Sequence, residues 1–250
     1  MSNDQKIKIM GHLVAGYPDA AGFEAACSAL SDGGIEILEI QIPFSDPIAD
    51  GPLNTKAGET ALRNGFKVED FHRYLEFASA KGFEEIHIMT YANIIYRYGI
   101  RKFIDDMNMA MVTGIIIPDL PIEDEEGFYA YASQGGVEVD AVPVAVVNMI
   151  PERIEMLRSL HAERCYVSLR QGVTGTKTVM GSDTIQFLDS LGIPKLYAGF
   201  GISTRDQIYA LQGHAYAAVV GSYFTGIIQD AGDDPQDIYR ELYNGAVKLR

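Results

Sequence analysis

The sequence predicts one (β/α)8 barrel spanning residues 1–250. Three observations carry that prediction. Strand and helix signals alternate eight times along the chain, no linker or composition break interrupts them, and 250 residues is close to the usual size of this architecture. An open, doubly wound sheet would want a glycine-rich dinucleotide turn after an early strand, and none is present.

Taken in order, residues 7–15 form the first strand, closed by Gly16-Tyr17-Pro18-Asp19, and residues 20–30 have the apolar spacing of a helix that stops at Gly33-Gly34. Residues 35–42 are rich in isoleucine and alternate acid or amide with aliphatic, the pattern of a second strand. Pro43 ends it for want of an N–H, and prolines, a glycine and aspartates make residues 43–52 a long loop. Helices follow at residues 57–63 and 68–80. Residues 86–91 are the third strand, with a helix at 100–109; residues 114–118 are the fourth, with an acidic helix start expected at Glu123. The fifth strand covers residues 139–147 and its helix 151–160, which opens on a proline suited to a first turn. Residues 166–169, 195–198 and 217–220 supply strands six, seven and eight, each followed by a helix.

Composition sets limits on function. The chain is 47% hydrophobic and 22% charged, which is ordinary for a globular domain. A net charge of −14 and a pI near 4.7 disfavour nucleic acid and anionic membrane as partners. An anionic small substrate therefore needs a local site built from backbone amides. Cys27 and Cys165 give neither a disulfide framework nor a zinc spacing, and His12, His72, His87, His161 and His214 show no metal spacing; they are read as surface or core residues. The polar N-terminus and the lack of a long apolar run point to a cytosolic protein.

In a barrel the chemistry gathers at the C-terminal ends of the strands. Those ends carry Glu39 and Asp50 after strand two, Tyr91 and Asn93 after three, and Asp119 after four. A glutamate near the end of a buried strand, with further carboxylates in the next loop, suits a general acid and base. Gly172-Val173-Thr174-Gly175, Gly199-Phe200-Gly201-Ile202-Ser203 and Gly221-Ser222 follow strands six, seven and eight. Their glycines admit close approach of backbone N–H groups to an anion, so together they read as a phosphate site; each alone is equally a simple turn.

The run Leu38-Glu39 through Pro43-Phe44-Ser45-Asp46-Pro47-Ile48-Ala49-Asp50-Gly51-Pro52 resembles the signature of the tryptophan synthase alpha subunit family. The likeness continues through Tyr91-Ala92-Asn93, Pro118-Asp119-Leu120-Pro121 and the three glycine clusters, in family order. It implies a retro-aldol lyase that converts indole-3-glycerol phosphate to indole and glyceraldehyde 3-phosphate with no cofactor in this subunit. It further implies Glu39 as the proton-transferring residue and Asp50 as the partner of the indole nitrogen. By the same resemblance Thr174 lies on a closing loop, Arg170 and Tyr166 order that loop and wall the pocket, Tyr91 and Phe200 contact substrate, and Gly175, Gly201, Gly221 and Ser222 hold the phosphate. A pyridoxal-phosphate beta subunit in an α2β2 assembly is the implied partner, contacted through loops near residues 47–55 and 119–126. A carboxyl in an apolar barrel mouth is expected to have a raised pKa.

Plainer roles stand beside these. Glu39 also reads as a structural carboxylate, Asp46 as the anchor of an Asx-type turn, Asp119 as a helix-start residue and Tyr91 as a packed aromatic. The sequence also departs from the family pattern. Gln41 stands where glycine is usual, on the same strand face as Glu39, where its side chain is expected to crowd or hydrogen-bond the site. Asn54 and Thr55 replace an aliphatic residue and a glutamine, Thr60 replaces an arginine, and His12 takes the place of an aromatic of the indole pocket. The family's leading helix, which covers the barrel bottom, is expected to be short or missing. These departures leave two other readings open: a non-catalytic allosteric partner of a beta subunit, and a different phosphate-binding barrel lyase.

Overall fold

The computed structural model describes residues 6–169, 181–199 and 201–250. The expectation of a shortened leading helix falls on residues 1–5, outside the described residues.

Nine parallel strands among the described residues form one nearly closed barrel: β1 (Lys8–Val14), β2 (Ile37–Gln41), β3 (Glu85–Met89), β4 (Gly114–Ile116), β5 (Asp140–Val142), β6 (Val144–Val146), β7 (Arg164–Ser168), β8 (Lys195–Gly199) and β9 (Ala217–Val220). They run in the order β5-β4-β3-β2-β1-β9-β8-β7-β6. The ninth strand arises because the predicted fifth is broken at Pro143. Proline has no N–H to give a ladder, so residues 140–142 pair with β4 while residues 144–146 pair with β7. The Pro143 carbonyl still accepts from Tyr166 N–H (2.9 Å), so one interrupted strand serves both neighbours.

Helices on the outside connect the strands. They are α1 (Ala20–Asp32), α2 (Pro52–Arg63), α3 (Phe71–Ser79) after a 3-10 turn at Val68–Asp70, α4 (Ala92–Tyr98), α5 (Ile100–Met109), α6 (Phe128–Ala132), α7 (Pro151–Ser159), α8 (Ser182–Leu191), α9 (Arg205–Tyr209), α10 (Ser222–Ala231) and α11 (Pro235–Leu249). Three differ from expectation. The helix α2 starts at Pro52, five residues before the predicted 57, because proline suits a first helical turn. Residues 92–98, unassigned in the sequence, form α4: the Asp119 carboxylate reaches across from the next loop and accepts from Ala92 N–H (2.9 Å). Asp119 thus caps a neighbouring helix rather than its own. No helix begins at Glu123; its carboxylate instead holds the Arg153 guanidinium in a two-pronged pair (2.7 and 3.2 Å), and α6 begins only at Phe128.

The alternation of β2 sorts its side chains between two apolar layers. Leu38 and Ile40 join the layer between barrel and helices, while Ile37 packs inside the barrel with Met10, Met89, Ile116, Val142 and Tyr197. Glu39 and Gln41 share the phase of Ile37 and so point inward, at the C-terminal end.

Candidate active site

The C-terminal mouth of the barrel holds a cavity of about 390 Å³. Glu39, Asp50 and His12 line it together with Met89, Ile116, Val144, Val219 and Tyr166, and Gly201, Gly221 and Ser222 sit at its edge. Most of this wall is hydrocarbon, so the ionisable groups in it lie outside bulk water.

Each acid is held by its own set of contacts. Parallel register places His12 on β1 beside Glu39 on β2, and the imidazole Nδ1 lies 2.7 Å from Glu39 Oε2. Asp50 lies on the β2–α2 loop. Gln41 Nε2 donates to Asp50 Oδ2 (2.6 Å), so Gln41 joins the site by a hydrogen bond, as its strand phase predicts. Burial pushes the Asp50 pKa up, against the opposing hydrogen bonds from Gln41 and Tyr91 and the nearby His12. For His12, burial is the largest influence and disfavours the imidazolium. The charge of Glu39 and its hydrogen bond, with help from Asp50 and Gln41, outweigh that burial and raise the His12 pKa. Burial also lifts the Tyr166 phenol well above its ordinary value, with Glu39 and Asp50 adding to the effect, so Tyr166 stays neutral.

The loop that carries Asp50 is pinned from beneath. Tyr91 is fully buried and stacks on Phe44 (centroids 5.2 Å apart), and its hydroxyl accepts from Ala49 N–H (3.3 Å). Tyr91 therefore supports the loop, and among the described residues it is not one of those lining the cavity. The role expected of Asp46 is corrected. Its backbone carbonyl, rather than its carboxylate, accepts from Ile48 N–H (2.9 Å), while the carboxylate accepts from Ser45 Oγ (2.5 Å). Arg170, Thr174, Gly175 and Phe200 lie outside the described residues.

His12, expected in the place of an aromatic of the indole pocket, is the direct partner of Glu39, a contact that the sequence does not reveal. Asn54, buried on the first turn of α2, lines the cavity with its Nδ2 3.4 Å from His12 Nε2, and it accepts from Thr225 Oγ1 of α10 (2.8 Å). Their inward phase was legible, but their neighbours were not. Among the described residues no group of three His, Cys, Asp or Glu side chains is placed to hold a metal ion, and no helix is long and apolar enough to cross a membrane.

Behind this wall Gly199, the last residue of β8, admits Tyr166. A Cβ there would stand 2.8 Å from the Tyr166 hydroxyl and 2.9 Å from Val219 Cβ. Gly199→Ala is therefore expected to displace the tyrosine and destabilise the barrel by about 1–3 kcal/mol, as a lowered thermal midpoint will show.

The family model described as tryptophan synthase alpha chain matches residues 1–249. The chain belongs to that family. Among relatives, the tryptophan synthase alpha chain of Helicobacter hepaticus is 33% identical over 262 aligned residues, covering 100% of this chain and 97% of the relative. That of Desulfotalea psychrophila is 32% identical, covering 92% and 91%. A structure of the tryptophan synthase α2β2 complex from the hyperthermophile Pyrococcus furiosus superposes with a TM-score of 0.84 at 30% identity, covering 97% of each chain. Membership in the alpha chain family assigns the chain to tryptophan biosynthesis as a subunit with a lyase reaction, and the barrel agrees with its structural neighbours.

Proposed function

We propose that this cavity performs the retro-aldol cleavage of indole-3-glycerol phosphate to indole and glyceraldehyde 3-phosphate. The observation that carries the reading is the convergence of two buried carboxyl groups, Glu39 and Asp50, on one largely apolar cavity edged by Gly201, Gly221 and Ser222. The chemistry asks for that arrangement. Direct scission at indole C3 would expel a poor carbanion, so C3 is first protonated, which breaks the aromaticity of the ring and makes the ring N–H acidic. Glu39 supplies that proton, and Asp50 accepts the hydrogen bond of the ring N–H. The ionised Glu39 then takes the proton of the glycerol hydroxyl next to C3. The carbon–carbon bond breaks, its electron pair returns to the ring, and indole and the aldehyde separate. One proton is given and one taken, so the steps require no cofactor in this subunit. The N-terminus of α10, which begins at Ser222 and has no side-chain cap, offers the N–H groups of Ser222 and Tyr223 to the phosphate.

The proposed partner is a pyridoxal-phosphate beta subunit in an α2β2 assembly, in line with the complex of the Pyrococcus furiosus relative. Ile48, 71% exposed on the loop that carries Asp50, puts an apolar side chain on the surface expected to meet it. The test is indole release from indole-3-glycerol phosphate, with and without that subunit. Wild type is expected to release indole, faster with the partner, and Asp50→Asn is expected to lose most of the rate. A chain that binds the partner but releases no indole would instead be a regulatory subunit.

A further inference from the structure

We infer that the proton-transferring unit of this chain is the His12–Glu39 pair, with His12 the positioning residue that holds the Glu39 carboxyl and shares its proton. The inference rests on the proposed lyase reading and goes beyond it by adding a residue to the machinery.

The geometry supports a pair that acts as one unit. His12 and Glu39 are paired in register on adjacent strands, exposed by only 4% and 2%, with Nδ1 and Oε2 2.7 Å apart. Both side chains line the cavity, so the imidazole holds the carboxyl at the cavity wall. Behind the imidazole runs a short relay. The Thr225 hydroxyl donates to Asn54 Oδ1 and the Asn54 amide N–H₂ faces His12 Nε2, which suits an unprotonated Nε2. The reverse arrangement is also satisfied. Thr225 Oγ1 lies 3.5 Å from the Gly221 carbonyl, so the hydroxyl can donate there, accept from the turned amide, and leave Asn54 Oδ1 to accept from a protonated Nε2. The pair thus has a satisfied hydrogen-bond network both with and without its extra proton. Gln41 extends this set toward the second acid: its Nε2 is given to Asp50, and its buried Oε1 has no hydrogen-bond partner among the described residues. The other titratable groups facing the pair are Asp50 on the β2–α2 loop, His87 on β3 and Tyr166 on β7, and burial keeps His87 and Tyr166 neutral.

Proton balance is simple. The extra proton of the pair resides on Glu39 Oε2 when it is given to C3, its hydrogen bond to His12 Nδ1 giving way as it leaves, and it is restored when the carboxylate takes the hydroxyl proton. His12 gains and loses nothing over the cycle.

The test is the pH profile of kcat/KM for indole release, with the beta subunit present, in wild type, His12→Phe, His12→Asn and Glu39→Gln, each first checked for a cooperative thermal transition. Phenylalanine keeps a ring without nitrogen; asparagine keeps an N–H donor that does not titrate. The limb on which activity falls with rising pH reports loss of the pair's extra proton, so it is expected to move in both His12 variants, which lack the imidazole that shares it. At pH 7, His12→Asn is expected to retain several-fold more kcat than His12→Phe. Superimposable profiles for wild type and both His12 variants, with activity still lost in Glu39→Gln, overturn the pair and leave the lyase reading intact. Absence of indole release from wild type overturns both.

Discussion

Glu39→Gln is expected to reduce indole release by about 10²–10⁴-fold, the usual contribution of one positioned acid or base, equivalent to roughly 3–5 kcal/mol of transition-state stabilisation. The substitution preserves side-chain size at a position 2% exposed, and an amide still meets His12 Nδ1, so the barrel should fold as before. What it removes is the transferable proton. The loss should therefore appear in kcat, with little change in KM, since the proposed binding rests on the cavity walls and the glycine cluster at its edge. A comparable rise in KM would mean that Glu39 binds and does not transfer protons.

The second large effect lies at the opposite end of the barrel and concerns stability. Glu85, the first residue of β3 and 7% exposed, gathers Lys195 Nζ (2.9 Å), the Tyr216 hydroxyl (2.9 Å), the Tyr197 hydroxyl and His87 Nε2 (3.1 Å), with the Arg164 guanidinium 3.8 Å away. Arg164 is itself paired with Asp140. Burial is the largest single influence on Glu85 and opposes its ionisation. The hydrogen bonds from His87, Tyr197, Lys195 and Tyr216 together outweigh it and hold the carboxyl well below the usual range. Glu85→Gln leaves Arg164 with Asp140, takes away the carboxylate paired with Lys195, and turns an amide N–H₂ toward other donors. Breaking a buried charge cluster typically costs 3–5 kcal/mol; because Lys195 is 32% exposed, we expect about 3 kcal/mol, or a Tm drop of roughly 6–12 °C.

The pH dependence of that term has a definite sign. The folded-state pKa of Glu85 is depressed, so its stabilisation is complete above the unfolded value of about 4.3 and is lost as pH falls below it. Wild type and Glu85→Gln should therefore differ most in Tm at neutral pH and converge as the solution is acidified from about pH 5 downward. A difference that stays constant across this range would show that the carboxylate's charge is not what holds the barrel base.

The sequence by itself determined the barrel, the strand carrying Glu39, the loop carrying Asp50, and the fact that Gln41 shares the face of Glu39, because side-chain direction in a strand repeats every two residues and is a local property. It also led to the family. Only the tertiary structure decided which side chains meet. His12 touches Glu39 because β1 and β2 pair in one particular register across 27 residues of chain, and Tyr216 reaches Glu85 across 131. Pro143 splits a strand whose pattern reads as continuous, because a missing N–H acts on the ladder with a neighbour and not on the strand itself. Asn54 enters the cavity because α2 starts at Pro52 and turns that residue toward β1 and α10. In each case periodicity sets the face, while the partner on that face comes from strands and helices distant in sequence, whose register and approach no local pattern encodes.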